Sequence, residues 1–229
     1  MLIDVPQEND TGEMMHDLII PADDVSLYGD LFVPEDPLGL VIFAHGSGSS
    51  RHSPRNQSVA QKLQAEGFAT LLADLLTEEE ELVDTATAEH RFDISMLTER
   101  LVGITKYMKT YAQTELLTIG YFGASTGAAA ALGAAAQLSD NVRAVVSRGG
   151  RPDLTEEKFL AALTAPVLLL VGSLDETVYS LNHKAMQSIS SQVKELKVIE
   201  GATHLFEEPG KLGEVAEAAA EWFLTYVKV

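Results

Sequence analysis

Residues 117–133, LTIGYFGASTGAAAALG, constrain this chain more than any other stretch. Leu117 to Phe122 is apolar and partly β-branched, the composition of a buried strand. Ala128 to Leu132 is alanine-rich, the composition of a helix. Between them stands Gly123-Ala124-Ser125-Thr126-Gly127, a G-x-S-x-G sequence. So tight a strand-to-helix reversal strains the backbone of the serine. A side chain at either flanking position would collide with the neighbouring strand or helix, so glycine occupies both. The hydroxyl of Ser125 then projects from the turn, and the N-terminus of the following helix faces any negative charge that develops beside it. A small-residue turn that serves packing alone is the competing reading. The strand before and the helix after favour the first.

The 229 residues contain no cysteine, which excludes disulfides, thiolate catalysis and cysteine-based metal sites. The opening segment MLIDVPQENDTGEMM has neither a basic nor an apolar signal region, and no apolar run approaches the roughly 18 residues of a membrane span. A cytoplasmic protein is expected. Sixteen Lys and Arg stand against 34 Asp and Glu, a net charge of −18. That field disfavours nucleic acid and anionic membranes as partners.

Taken in order, residues 1–15 are polar and expected to be loose. His16–Ile20 and Val25–Val33 read as an antiparallel hairpin turning at Pro21–Asp24. Leu40–Ala44 suits a central strand and leads into the polar loop His45–Arg55. A helix is expected over Pro54–Glu66, stopped by Gly67, then a strand over Phe68–Leu76. Thr77–Phe92 is acidic, either a solvated surface or a flap over a site. Asp93–Tyr111 carries Ile94, Leu97, Leu101, Ile104, Met108 and Tyr111 on one helical stripe. Further strands are expected at Val142–Ser147, Val167–Val171 and Leu196–Ile199, with helices over Glu156–Leu163, Ser180–Ser191 and Glu214–Val227. The last would bury Val215, Ala218, Trp222 and Tyr226. Strands that alternate with helices imply a single α/β domain over 1–229. Its sheet would be mostly parallel and covered by helices on both faces, with the antiparallel hairpin at one edge.

In such a sheet ligands bind at the carboxyl ends of the strands. The polar loops around His45, Ser125, Arg148–Asp153, Asp175 and His204 all follow strands. A serine hydroxyl needs a base, and the base needs a carboxylate to orient it. Of six histidines, only His204 stands just after a late strand. Asp175 follows a strand in a glycine-bearing turn. Ser125, Asp175 and His204 are therefore the candidate catalytic residues, in the chain order that accompanies a serine at such an elbow. Taken singly, Asp175 also reads, less well, as a helix cap and His204 as a loop histidine. Oxyanion donors are expected from the backbone N–H groups of Thr126, within the turn, and Ser47, where Gly46 lets the backbone approach closely.

GASTG, GSLDETV and GATH, behind an AHGSG loop, resemble the α/β-hydrolase superfamily, and within it the dienelactone-hydrolase-like esterases. HGSGSSRHSPRN, RFDI, VSRGGRPDL and GATHLFEEPG are similar to a bacterial subgroup often fused to phosphoribosyltransferases. The resemblance spans roughly residues 18–227. It implies an α/β-hydrolase fold, a Ser125–Asp175–His204 triad and oxyanion donors at Ser47 and Thr126. Dienelactone hydrolases proper use a cysteine where this chain has Ser125. The sequence also lacks a phosphoribosyltransferase signature, an apolar strand followed by paired acids and a Gly-Thr phosphate loop.

The expected activity is hydrolysis of carboxylic esters or lactones of small soluble substrates, with neither cofactor nor metal. Acyl transfer or perhydrolysis by the same triad is an alternative, as is a binding module that keeps the fold without turnover. Oligomeric state is not legible. Four of the seven arginines, Arg51, Arg55, Arg148 and Arg151, lie in two loops at the active edge. They either pair with the chain's own acids, such as Asp153 or Glu207, or recognise an anionic substrate, for which Arg51, Arg148 and Arg151 are the candidates.

Overall fold

The computed structural model describes residues 6–8, 14–22 and 24–228. Nine strands form one sheet: β1 (Pro6–Glu8), β2 (Met14–Ala22), β3 (Val25–Val33), β4 (Leu40–Ala44), β5 (Ala69–Ala73), β6 (Ile119–Ala124), β7 (Val142–Arg148), β8 (Val167–Gly172) and β9 (Lys194–Ile199). Their spatial order is β1-β2-β3-β5-β4-β6-β7-β8-β9. The first three and β5 pair antiparallel, and from β5 to β9 every pairing is parallel. Most of the segment expected to be loose, 1–15, lies outside the described residues. Within it, Pro6–Glu8 forms β1 against Met14–His16, and Met14 and Met15 begin β2, which corrects that expectation.

The helices are α1 (Pro54–Ala65), α2 (Glu78–Thr87), α3 (Ile94–Met108), α4 (Thr126–Gln137), α5 (Glu157–Ala162), α6 (Glu176–Ser188) and α7 (Lys211–Tyr226), with a 3₁₀ turn at Pro152–Leu154. Sheet residues alternate between two cores, as a strand covered on both faces must. Leu40, Ile42 and Ala44 of β4 pack with α3 and α4, whereas Val41 and Phe43 pack with α1 and α7. Helix α4 is buried along almost its whole length, so alanine and glycine are the residues that let it approach the sheet and α3.

Several boundaries differ from expectation for local reasons. Strand β5 ends at Ala73; Asp74 still donates its N–H to Tyr28 O of β3 at 2.9 Å, and its carboxylate turns to the loop, where it accepts from Arg51 N–H at 2.8 Å. Helix α6 begins at Glu176, since Asp175 Oδ1 caps the N–H of Val178 at 3.4 Å. In α7 the interior position belongs to Phe223, and Trp222 and Tyr226 are half-buried on its flank, their rings 4.8 Å apart and inclined at 59°. The acidic segment is a solvated surface, as one of the two readings expected, but it is helical: of α2 only Asp84 is buried, and Glu78, Glu79 and Glu81 face solvent. Thr77 and Glu80 form a reciprocal capping box that starts α2. Among the described residues no helix is long and apolar enough to cross a membrane.

Candidate active site

The turn from β6 to α4 has the conformation its glycines anticipate. Ser125 sits at φ 51°, ψ −118°, a region that a residue with a side chain occupies only under strain. A Cβ at Gly123 would lie 2.4 Å from Ala128 Cα, and one at Gly127 would lie 2.3 Å from the carbonyl oxygens of Ala44 and His45. The neighbouring strand locks the turn: Ser125 N–H donates to Arg148 O at 3.2 Å, and Arg151 N–H donates to Ser125 O at 3.1 Å.

Two further strand ends converge on each other. The loop after β8 carries Asp175 and the loop after β9 carries His204. Ser173 N–H donates to Ile199 O and Leu174 N–H to Ala202 O, each at 3.0 Å, while Gly201 N–H donates to Ser173 Oγ at 2.8 Å. Gly172 permits this contact, because a Cβ there would stand 2.2 Å from Ala202 O. The result is a 2.6 Å hydrogen bond between His204 Nδ1 and Asp175 Oδ2. With Nδ1–H given to the carboxylate, the neutral imidazole keeps Nε2 as an acceptor. Beyond the histidine, buried Phe206 anchors the loop in the lower core, and Glu208 accepts from both N–H and Oγ1–H of Thr203.

The loop after β4 passes beside the serine. A Cβ at Gly46 would sit 3.0 Å from Ser125 Cβ, and Ser47 Oγ lies 3.0 Å from Thr126 Oγ1. Buried His45 holds this loop. Its Nδ1–H donates to Gly46 O and its Nε2 accepts the N–H of Leu75, each at 3.0 Å. Burial pushes the His45 imidazole below its ordinary pKa, outweighing Asp74 and Glu81. Sequence reasoning assigned His45 no role.

Ser47, Ser125, Arg148 and His204 line one cavity of about 190 Å³. A second, of about 70 Å³, opens on the other side of Gly46 and Ser47, between Thr126, Leu75 and the inner face of α2. Arg100 of α3 pairs with Glu80 of α2 at 2.6 Å, and Arg91, in the loop that follows α2, pairs with buried Asp84 at 2.8 Å. The outer face of α2 is solvated surface, and its inner face, through Glu81, Asp84 and Thr85, walls this cavity.

The four loop arginines differ in their surroundings. Arg51 binds Asp30 at 3.1 Å and also Asp74, and lies over the Tyr28 ring. Arg151 makes two bonds to Asp153, at 2.8 and 2.7 Å. Arg55 pairs with exposed Glu207 at 2.7 Å. Arg148, only 7% exposed, has no ion pair among the described residues, and its Nε and Nη1 have no hydrogen-bond partner there.

Comparison with known proteins bears on this arrangement. The model of the dienelactone hydrolase family matches residues 27–228. The chain is similar to a dienelactone hydrolase from Anabaena variabilis, whose crystal structure superposes with a TM-score of 0.91 at 48% identity, covering 97% of this chain and 99% of that one. Est1E from Butyrivibrio proteoclasticus shares the fold, with a TM-score of 0.75 at 20% identity over 91% of this chain and 98% of its own. Proteins from two strains of Mycobacterium tuberculosis, provisionally named as phosphoribosyl transferases, are 52% identical over 208 residues, 91% of this chain but 46% of theirs. The chain thus spans about half the length of those curated relatives.

Proposed function

The chain belongs to the dienelactone hydrolase family, hydrolases of the α/β fold, and from that premise we propose that it is a serine hydrolase of carboxylic esters or lactones of small soluble substrates. The observation that carries this reading is the 2.6 Å bond from His204 to Asp175, made at the mouth of a cavity that Ser125 also lines.

In the proposed mechanism, Ser125 Oγ attacks the ester carbonyl carbon while Nε2 of His204 takes the hydroxyl proton. Asp175 holds the ring in the tautomer with Nδ1 protonated and stabilises the imidazolium that forms. The carbonyl oxygen becomes an anion received by the backbone N–H groups of Thr126 and Ser47, each worth on the order of 3 kcal/mol in the transition state. Collapse expels the alkoxide, which takes the proton back from His204. Water, deprotonated by the same histidine, then releases the acyl group. The strained backbone of Ser125 suits this role, since it lifts the hydroxyl clear of the sheet. The reading covers the segment shared with the mycobacterial proteins. Their phosphoribosyl transferase name attaches to chains of which this one covers 46% and is not carried over.

The test is labelling by a fluorophosphonate probe together with p-nitrophenyl esters of increasing acyl length. The expected result is a covalent adduct on Ser125 and ester turnover that Ser125→Ala abolishes. Turnover that survives in Ser125→Ala would overturn the assignment. Absence of both label and turnover would leave the fold as a binding module.

A further inference from the structure

Arg148 is the feature that the proposed mechanism does not use. It ends β7, beside the serine turn, and lines the cavity that Ser125 and His204 also line. A buried cation without a partner is costly, and proteins seldom retain one. Burial, reinforced by the neighbouring charge of Arg55, pushes its pKa down to about 10, so it stays charged at neutral pH. Arg51 and Arg151, by contrast, have carboxylates of their own.

The adjoining wall has further unmet polar atoms. Arg55 Nε and Asn56 Oδ1 are buried without partners. Ser49 and Ser53 line the same wall. Among the described residues Arg55 is held only by Glu207, whose side chain is 61% exposed, and an exposed pair of that kind contributes little and exchanges readily. Two guanidiniums that repel each other thus share one pocket in a chain of net charge −18.

We propose that this wall is a subsite for a phosphate group carried by the substrate, bound by Arg148 and Arg55, so that the enzyme acts on phosphorylated esters. A single carboxylate would neutralise one of the two guanidiniums. A phosphate monoester, with about −1.5 to −2 charges at neutral pH, neutralises both. Its three terminal oxygens accept from both forks and from the serine hydroxyls. Asn56 Oδ1 accepts from a protonated phosphate oxygen or a neighbouring substrate hydroxyl. The scissile carbonyl stays at Ser125, and the phosphate is a remote handle. The substrate class rests on the serine-hydrolase reading, whereas the anion subsite itself does not.

The two are therefore tested separately. First, inorganic phosphate, acetate and chloride are compared at matched ionic strength by their effect on Tm. Phosphate is expected to raise Tm, acetate much less, and Arg148→Met to remove the phosphate effect. Arg143→Met, at an exposed position on the same strand, keeps it. Removing an unpaired buried charge also makes Arg148→Met at least as thermostable as the parent in chloride. Second, kcat/KM is measured on an ester bearing a phosphate on its alcohol and on the neutral analogue. Arg148→Met is expected to cut the ratio of the two by on the order of 10–100-fold.

A phosphate effect on Tm that persists in Arg148→Met would overturn the proposal, and so would a marked loss of thermostability in that variant, which would make Arg148 structural. An acetate effect equal to that of phosphate would overturn the choice of a dianion. If phosphate binds but no ester is turned over, the subsite stands and the serine-hydrolase reading falls.

Discussion

His45 Nδ1 lies 3.0 Å from the carbonyl oxygen of Gly46, and the peptide so held is the one whose N–H belongs to Ser47. The imidazole fixes one end of that peptide, and the other end is the proposed oxyanion donor. Since Nε2 accepts from Leu75 while Nδ1–H donates, the two bonds are made together only by a neutral ring. Replacing His45 by alanine should therefore lower kcat by on the order of 10–100-fold through misplacement of the donor, with a smaller change in KM. The folded pKa of His45 is depressed by burial, while the unfolded chain takes up a proton near pH 6.5. More protons are then bound in the unfolded state, so stability falls as pH drops below about 6.5. Tm measured from pH 7.5 to 5 should show this slope in the parent and a shallower one in His45→Ala. Equal slopes would assign the pH dependence to other groups.

Asp175 and His204 stand on loops that hydrogen-bond to each other, so their 2.6 Å contact should survive a conservative change of the carboxylate. Asp175→Asn keeps the shape but offers an amide, which favours the wrong tautomer of His204. A fall in kcat of up to about 10⁴-fold is expected, with Tm within a few degrees of the parent. Unchanged kcat in Asp175→Asn would make another carboxylate the orienter.

These relationships were not equally legible in the sequence. The elbow glycines and the apolar run of β4 follow from short-range rules, and the structure has the strand, the turn and the helix where those rules put them. Helix α2 was legible too: Thr77 and Glu80 spell a capping box, but four consecutive glutamates draw attention to charge instead. What ties α2 down was not legible, because Arg100 reaches Glu80 across 20 residues and no local pattern marks that pair. The arginines make the same point. Their clustering is a property of the sequence, but that Arg151 finds Asp153 while Arg148 finds nothing depends on the packing of three separate loops.

The strain at Ser125 gives a prediction in which stability and activity move apart. At φ 51° a side chain costs on the order of 1–3 kcal/mol, and glycine removes most of that. Ser125→Gly should raise Tm above that of Ser125→Ala, which keeps the Cβ and its strain. Both should lower kcat by about 10⁴–10⁶-fold. A Tm for Ser125→Gly below that of Ser125→Ala would show that the turn is not strained in solution.

Helix α2 walls the smaller cavity; Arg100 of α3 holds its first turn through Glu80, and its last turn is closed onto the following loop through Asp84. Buried Asp84 accepts the Arg91 guanidinium at 2.8 Å and the backbone N–H groups of His90 and Arg91 at 2.9 and 2.8 Å. Burial acts to raise this carboxyl, but those bonds outweigh it and hold it below the usual range. Its contribution is therefore complete above the unfolded pKa, about 4, and is lost as pH falls through the lower folded value. Arg91→Met removes one partner and leaves Asp84 with the two N–H groups alone. The end of α2 should then open more often, so amide exchange across 78–91 should quicken at pH 7, while the amides of β4 and β6 keep their protection. Because Arg91 and Asp84 also line the cavity beside Thr126, the variant should gain relative activity on long acyl esters over acetate. The shift expected is a few-fold in the ratio of kcat/KM values, the size of one or two methylenes in an apolar pocket. Faster exchange without a change in that ratio would leave the ion pair as an anchor and place the acyl chain elsewhere.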